Sequence, residues 1–371
     1  MPAIYATEPK YICPIAPLHN IALSFLFRTR LRKQLQLLDQ YGSALEVWRH
    51  VDEPGMDEAM ERAKKECEWI DEHGIRVWTI EDENYPIRLK QCADKPAVLY
   101  SKGNVDLGTG HFVSIVGTRR PTERGKELTS LFVRELHEQL EQVTIISGGA
   151  YGIDIAAHRA AIECGIPTII VPAHGLDRIY PYAHRQDAIK ALEHGGLLTE
   201  FPSGTEPIAP NFVQRNRIVA GLSEATVVVE SRERGGSLIT ARMAVDYNRA
   251  LFAFPGRPND ESSRGCNRLI RTNQAQLLDN AADLIHTMEW ITRTEHKTPV
   301  QTQIVGLLDN LTPAQQVLLT KIQEAEEGMH INHLVMETEM PYGDVSSDLM
   351  MLEVQGLIRA LPGGFYRIKN G

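Results

Sequence analysis

Between residues 112 and 254 the chain alternates six short apolar, β-branched runs with Gly- or Pro-containing loops, most of which lead into a helical stretch. The runs are Phe112–Val116, Val143–Ile146, Thr168–Val171, Gly196–Thr199, Ala225–Val229 and Ala250–Phe254. Continuous apolar strands alternating with helices can bury both faces only in a parallel sheet held between two helical layers. The pattern predicts an α/β fold. It also predicts where function gathers, because ligands of such sheets sit beyond the carboxyl ends of the strands.

The flanks differ from this centre. Residues 18–75 read as helical, with apolar helical spacing from Ile21 to Leu38 and Ala44 to Trp48, a break at Tyr41-Gly42-Ser43, and a charged amphipathic stretch from Met56 to Glu72. Trp78 to Gly103 contains Asn84-Tyr85-Pro86 and Lys95-Pro96 and reads as an irregular connector packed on the core. Residues 278–311 read as a helix and then a polar linker, Thr292 to Thr302. Ala314–Glu326, Ile331–Met336 and Val345–Gln355 read as three helices. Leu357–Leu361, the turn Pro362-Gly363-Gly364 and Phe365–Ile368 then form a hairpin, which is the winged-helix pattern. The expected division is a helical domain over 1–77, the sheet domain over 78–290, a linker over 291–311 and the winged helix over 312–371.

The net charge of −9 argues against nucleic acid until it is divided along the chain. Residues 112–277 hold 19 cations against 18 acids, and 17 of the 19 are Arg, the planar donor suited to phosphate. Residues 1–111 hold 14 against 17, and residues 278–371 hold 6 against 13. The central arginines collect in loops, a pattern of local phosphate contact. The five cysteines, Cys13, Cys67, Cys92, Cys164 and Cys266, form no C-x-x-C pair, which points to free thiols in a reducing compartment. With no basic-then-apolar leader and no long apolar run, a cytoplasmic chain with no membrane partner is expected.

Five strand-end loops carry the candidate chemistry. Gly117, Thr118, Arg119 and Arg120 precede a helix near Glu123, whose N-terminus would add N–H donors to a phosphate site. The spacing to Gly125-Lys126 and the Glu127 that follows exclude a Walker A loop. Ser147, Gly148 and Gly149 open a G-G-x-x-G turn able to form an anion nest, but not the dinucleotide fingerprint, so no nucleotide cofactor is expected. Asp154 and His158 stand four apart on the next helix, a spacing that more often fixes a helix than catalyses. His174 and His184 lack metal-ligand spacing, and no metal is expected. Phe212 among Gln214, Arg215, Asn216 and Arg217 offers an aromatic platform beside backbone contacts, and Gly236-Ser237 opens another helix.

The segments Ser114–Pro121, Ile146–Asp154, Phe212–Ser223 and Gly235–Ala241, in that order, closely resemble the DNA processing protein A family (DprA, also called Smf). The resemblance implies an extended Rossmann-like domain, a sterile-alpha-motif-like helical domain before it and a winged helix after it. It further implies a non-enzymatic protein that binds single-stranded DNA, forms a homodimer through the Rossmann-like domain, and helps load the RecA recombinase during natural transformation. It places Arg119 in the DNA pocket, with Phe212 and Gln214 to Arg217 beside it. Many members carry a Lys after the Tyr-Pro of the third loop; here that residue is Tyr182, and Arg185 is the available substitute. Residues 312–371 hold 4 cations and 8 acids, so a protein-contact or regulatory role is expected for the winged helix over DNA reading. The competing reading is a phosphoribohydrolase-like enzyme that cleaves nucleotides. It is disfavoured because Arg242 stands where the catalytic acid would be needed after Gly235-Gly236.

Overall fold

In the computed structural model, which describes residues 17–293, 311–325 and 328–368, each of the six apolar runs is a strand within one residue of its expected limits. The chain opens with α1 (Leu18–Leu26), α2 (Leu31–Tyr41), α3 (Ala44–His50) and α4 (Met56–His73). The expected break after Tyr41 is present, where Gly42 closes α2 at φ +80° and Ser43 caps α3 by accepting the Glu46 N–H. The break between α1 and α2 carries no Gly or Pro, and sequence did not announce it.

Next come β1 (Arg76–Thr79), α5 (Ile87–Lys90), β2 (Val98–Gly103), β3 (His111–Val116), α6 (Glu123–Gln139), β4 (Val143–Ser147), α7 (Ile153–Cys164) and β5 (Thr168–Ile170). They are followed by α8 (Arg185–Ala191), β6 (Gly195–Thr199), α9 (Ala209–Leu222), β7 (Ala225–Val228) and α10 (Ser237–Asp246). The domain closes with β8 (Ala250–Ala253), α11 (Arg264–Arg271), β9 (Gln276–Leu277) and α12 (Ala281–Met288). The nine strands form one sheet in the order β1-β2-β6-β5-β4-β3-β7-β8-β9. From β6 to β9 every neighbouring pair is parallel, whereas β2 runs antiparallel to both β6 and β1.

The antiparallel edge corrects the connector expected over Trp78 to Gly103, and the expected boundary after residue 77 falls inside β1. Leu99 and Tyr100 are fully buried there, and the Trp78 indole N–H donates to Ser101 Oγ at 3.0 Å. Two strands of four and six residues, separated by a segment with Pro86 and Pro96, were too short to stand out as a periodic signal.

Side chains alternate across the sheet as the pleat requires. Val113 and Ile115 pack with α6, α7 and α12 on one face, and Phe112 and Val116 pack with α9, α10 and α11 on the other. The helices α1 and α4 do not keep a core to themselves. Ile21, Ala63 and Ile70 share a cluster with Tyr100, Ile170 and Leu197, so this helical unit caps the sheet edge. Glu66 of α4 is buried and accepts hydrogen bonds from the Ser203 N–H and hydroxyl; burial, the largest effect, raises its carboxyl above the usual range.

The tail comprises α13 (Pro313–Glu324), β10 (Met329–His330), α14 (Ile331–Thr338), α15 (Tyr342–Val354), β11 (Ile358–Leu361) and β12 (Phe365–Ile368), around a core of its own. The three helices and the hairpin match expectation, and β10 adds a third strand. Residues 294–310, most of the expected linker, lie outside the described residues, as does Cys13.

The wing turns back on the sheet domain. Arg359 pairs with Glu289 at 2.5 Å, Arg367 bonds the Glu289 carbonyl, and Gly363 lies against Asn248. Asn248 precedes β8. Nearby, His111 begins β3, stacking on Trp290 at 4.1 Å, and its ring reaches Glu224, which precedes β7. Burial raises the Glu224 carboxyl, but Arg88 and His111 outweigh it and hold the group below its ordinary value. The winged helix therefore docks at the amino end of the parallel strands.

Candidate nucleic-acid interface

Seven parallel strands deliver their carboxyl ends, and the loops that follow, to the opposite rim. The loop after β3 is wedged between its neighbours. The Thr118 N–H donates to the Glu230 carbonyl at 2.8 Å, and the Thr118 carbonyl accepts from Ile153 N–H at 3.2 Å. Gly152, at φ +88°, lies so close to Thr118 and Arg119 that any side chain there would strike their backbone. Thus pinned, the loop turns Arg119 and Arg120 into solvent.

The Arg119 guanidinium lies 5.5 Å from the centre of the Phe212 ring, and that ring meets Tyr180 edge-on at 6.0 Å. A planar cation over an aromatic face is attracted by about 0.5–1 kcal/mol at exposed sites, enough to hold the pair in register. Tyr151, Tyr180 and Tyr182 are 50 %, 53 % and 75 % exposed, so the rim presents four aromatic rings beside its arginines. Tyr182 occupies the position where a Lys was expected by resemblance, and Arg185 beside it is half-buried. Sequence reasoning passed over Tyr151 and Tyr180 as contacts, although aromatics flanked by Gly or Pro at a strand end were a usable signal.

Several expected contacts point inward. Arg215 is buried, its guanidinium bonding the Gly148 and Val171 carbonyls, and a side chain on Gly148 would collide with it. Arg217 is buried against Glu200 and the Asp94 carbonyl. Ser147 donates to the Ile115 carbonyl at 2.6 Å, and Ser237 donates to Ser231 Oγ at 3.0 Å. These four support the rim from beneath. Gln214 donates to Glu200 at 2.9 Å and Asn216 accepts from Arg215 Nε at 3.2 Å, both half-buried.

The two anion sites expected from backbone donors are already occupied by carboxylates. At the start of α6, Thr122 caps Gly125 N–H at 3.0 Å, while Glu230 accepts from the Thr122 N–H at 2.9 Å. In the Gly148-Gly149 turn, the backbone N–H groups of Gly148 and Ala150 face the buried Asp154 carboxylate. Burial raises the Asp154 carboxyl, with Arg215 the main opposing influence. Burial likewise lowers Arg215 to about 10, so it remains charged near neutral pH. Arg119 and Arg120 keep exposed positive charge on this part of the surface, as does Arg234 on the loop after β7. Gly117, Thr118, Gly148, Phe212 and Gly236 stay at least partly exposed around it, and Gly149 is buried with its carbonyl 2.9 Å from His184 Nδ1.

Asp154 and His158 do not act together. His158 is fully buried, its Nδ1 sits 2.7 Å from Thr168 Oγ1, and burial drives its pKa down to about 3. Among the described residues no helix is long and apolar enough to cross a membrane.

Comparison with known proteins follows the same division of the chain. A family model described as DNA recombination-mediator protein A matches residues 76–289, and one described as the DprA winged helix domain matches residues 306–364. Protein Smf of Synechocystis is 33 % identical over 335 residues, covering 81 % of this chain and 82 % of that protein. The DNA processing protein DprA of Bacillus subtilis is 39 % identical over 218 residues, 58 % of this chain and 72 % of that protein. Among solved structures, DNA processing protein A of Streptococcus pneumoniae superposes with a TM-score of 0.60 at 32 % identity, covering 73 % of this chain and 96 % of that one. The Helicobacter pylori protein, whose structure is described by its single-stranded DNA binding mode, superposes with a TM-score of 0.52 at 33 % identity, covering 58 % of this chain and 95 % of that one.

Proposed function

This chain belongs to the DNA recombination-mediator protein A family, and on that footing we propose that it binds single-stranded DNA across the carboxyl rim of its parallel sheet. The observation that carries the reading is Arg119 held over Phe212, beside three exposed tyrosines. A flexible strand can stack its bases on such rings while its phosphates meet the exposed guanidinium groups, whereas a duplex keeps its bases stacked inside. The proposed contacts are Gly117, Thr118, Arg119, Arg120, Gly148, Phe212 and Gly236, with Tyr151, Tyr180 and Tyr182 added. Ser147, Gly149, Gln214, Arg215, Asn216, Arg217 and Ser237 hold the rim in shape. Within DNA recombination the protein would protect incoming strands as a homodimer and hand them to a RecA recombinase without chemistry of its own. Titration of oligo-dT and of a duplex of equal length, without nucleotide or Mg²⁺, tests this. Tight binding of the single strand and weak binding of the duplex are expected. A requirement for ATP and Mg²⁺, or equal affinity for the duplex, would overturn the reading.

The docked tail bears on a second expected result. Its wing cations Arg359 and Arg367 are engaged by Glu289, at the end of the sheet away from the proposed DNA rim. The six residues of β3 set the two ends about 20 Å apart. That is more than twice the Debye length of about 8 Å at physiological salt, so the acidic tail neither attracts nor repels the strand there. A chain ending after Leu307 should fold and bind oligo-dT as tightly as the full chain. A folded truncation unable to bind would make the wing a primary DNA contact.

A further inference from the structure

Tyr180 stands on a turn closed by a histidine. Its backbone N–H donates to His174 Nε2 at 3.1 Å, and His174 Nδ1 lies 2.8 Å from the Gly175 carbonyl. A ring that accepts at Nε2 and donates at Nδ1 is the neutral Nδ1–H tautomer. His174 is 3 % exposed, and its carbonyl accepts from the Thr199 hydroxyl at 3.1 Å, which fixes the base of the ring. The imidazole thus ties residues 174 and 180 into a closed turn beyond the carboxyl end of β5.

The turn leans on the loop after β6, and the helical unit braces that loop in its turn. The Gly204 N–H donates to Asp177 Oδ1 at 2.9 Å, and the Gly175 N–H donates to the Thr205 carbonyl at 3.2 Å. A side chain on Gly175 would strike the Pro202 carbonyl. Ser203, in the same loop, is held by Glu66 of α4. Within this frame the bond to His174 fixes the Tyr180 backbone, and with it the ring that meets Phe212 edge-on at 6.0 Å. The charged and titratable side chains on the elements packed around the imidazole are Asp177 and Arg178 of its own turn, His184 across a small shared cavity, Glu206 and Glu66 about the loop after β6, and Arg215 of α9. Burial is the largest influence on the ring and holds its pKa below the ordinary histidine value.

We infer that His174 is a positioning residue of the aromatic platform: as a neutral imidazole it accepts the Tyr180 N–H and so sets the Tyr180 ring beside Phe212, where a base can stack. The inference rests on the proposed single-strand binding at this rim and assigns within it a residue that touches no DNA. Protonation of His174 replaces the acceptor at Nε2 with a second N–H, which faces the Tyr180 N–H and breaks the bond. The ring is neutral above its lowered pKa, so the platform is intact there and is released as pH falls through that pKa.

Titration with oligo-dT, whose bases do not ionise in the range used, tests this. His174→Ala should weaken binding about fivefold, the lower end of what one stacked base contributes, with an unchanged salt slope because no phosphate contact is lost. Tyr180→Ala should cost about as much, and the double variant should bind no more weakly than Tyr180→Ala alone. His174→Gln, which offers an acceptor in place of Nε2, should bind nearly as the wild type does at neutral pH. From about pH 8 to about pH 5 the wild type should lose affinity relative to His174→Gln, because the protonated imidazole has no acceptor left for the Tyr180 N–H. Additive losses in the double variant, a reduced salt slope, or a His174→Gln variant as weak as His174→Ala would each overturn the inference. So would parallel pH profiles of wild type and His174→Gln. Where His174→Ala melts below the assay temperature, His174→Gln and its pH profile decide. Wild-type affinity in Tyr180→Ala and Phe212→Ala alike would sink the platform itself, whereas a loss in those two that His174→Ala does not share sinks only the role of His174.

Discussion

Replacing Arg119 with alanine should weaken oligo-dT binding by roughly tenfold to a hundredfold while leaving the melting temperature unchanged. A hydrogen bond to a charged group contributes about 1.5–3 kcal/mol, and each 1.4 kcal/mol is a factor of ten in affinity. The side chain is exposed and its neighbour within the protein is the face of Phe212, so its removal from the folded state should cost at most about 0.5 kcal/mol. The salt slope should fall by about 0.7. Arg119→Lys should recover the charge but not the flat stacking surface, giving an intermediate affinity with the wild-type slope. Phe212→Ala should lower affinity with the slope unchanged, because a stacked base releases no counterion. A folded Arg119→Ala variant that binds oligo-dT like the wild type would remove the platform from the account.

Arg215→Ala should do the opposite and damage the fold first. The guanidinium is buried, bonds the carbonyls of Gly148 and Val171, and compensates Asp154. Removing one member of a buried charge pair costs about 3–5 kcal/mol, since the remaining carboxylate loses its main compensating charge and keeps the Gly148 and Ala150 N–H groups. Asp154→Asn should recover part of that stability in the double variant. The pH dependence has a definite sign. The folded-state pKa of Asp154 is already raised above its ordinary 3.8 by burial, and removing Arg215 raises it further. At this site the folded variant then binds more protons than the unfolded chain, so the contribution of Asp154 to stability should be greatest below the ordinary carboxylate range and fall as pH rises through the raised pKa. Urea unfolding at acidic and neutral pH reads this directly. A variant as stable as the wild type at both pH values, yet unable to bind DNA, would make Arg215 a direct contact.

These two arginines mark the limit of reading along the chain. Arg119 and Arg215 both follow loop-like or amide-rich sequence, and both were expected at the DNA. One is exposed and the other buried, and the difference lies in partners far away. Arg215 reaches Val171 across 44 residues and Arg217 reaches Asp94 across 123. The Glu230 that closes the start of α6 lies 108 residues beyond Thr122. No local pattern encodes such meetings.

Patterns with short periods were legible in the sequence: six buried strands, the helices between them, the Gly42 break and the winged helix, because burial of alternate or helically spaced side chains is a property of consecutive residues. The parallel sheet followed, and with it the rim where the loops gather. Tertiary structure alone decided the antiparallel β1–β2 edge, the fusion of the helical cap with the sheet core, and which polar side chains face solvent. It also placed the acidic tail at the amino end, where Glu289 takes Arg359 and Arg367. A charged residue looks the same in sequence whether it meets water, a carbonyl or a carboxylate. Only the folded chain determines which of these it meets, because desolvation and pairing depend on neighbours in space.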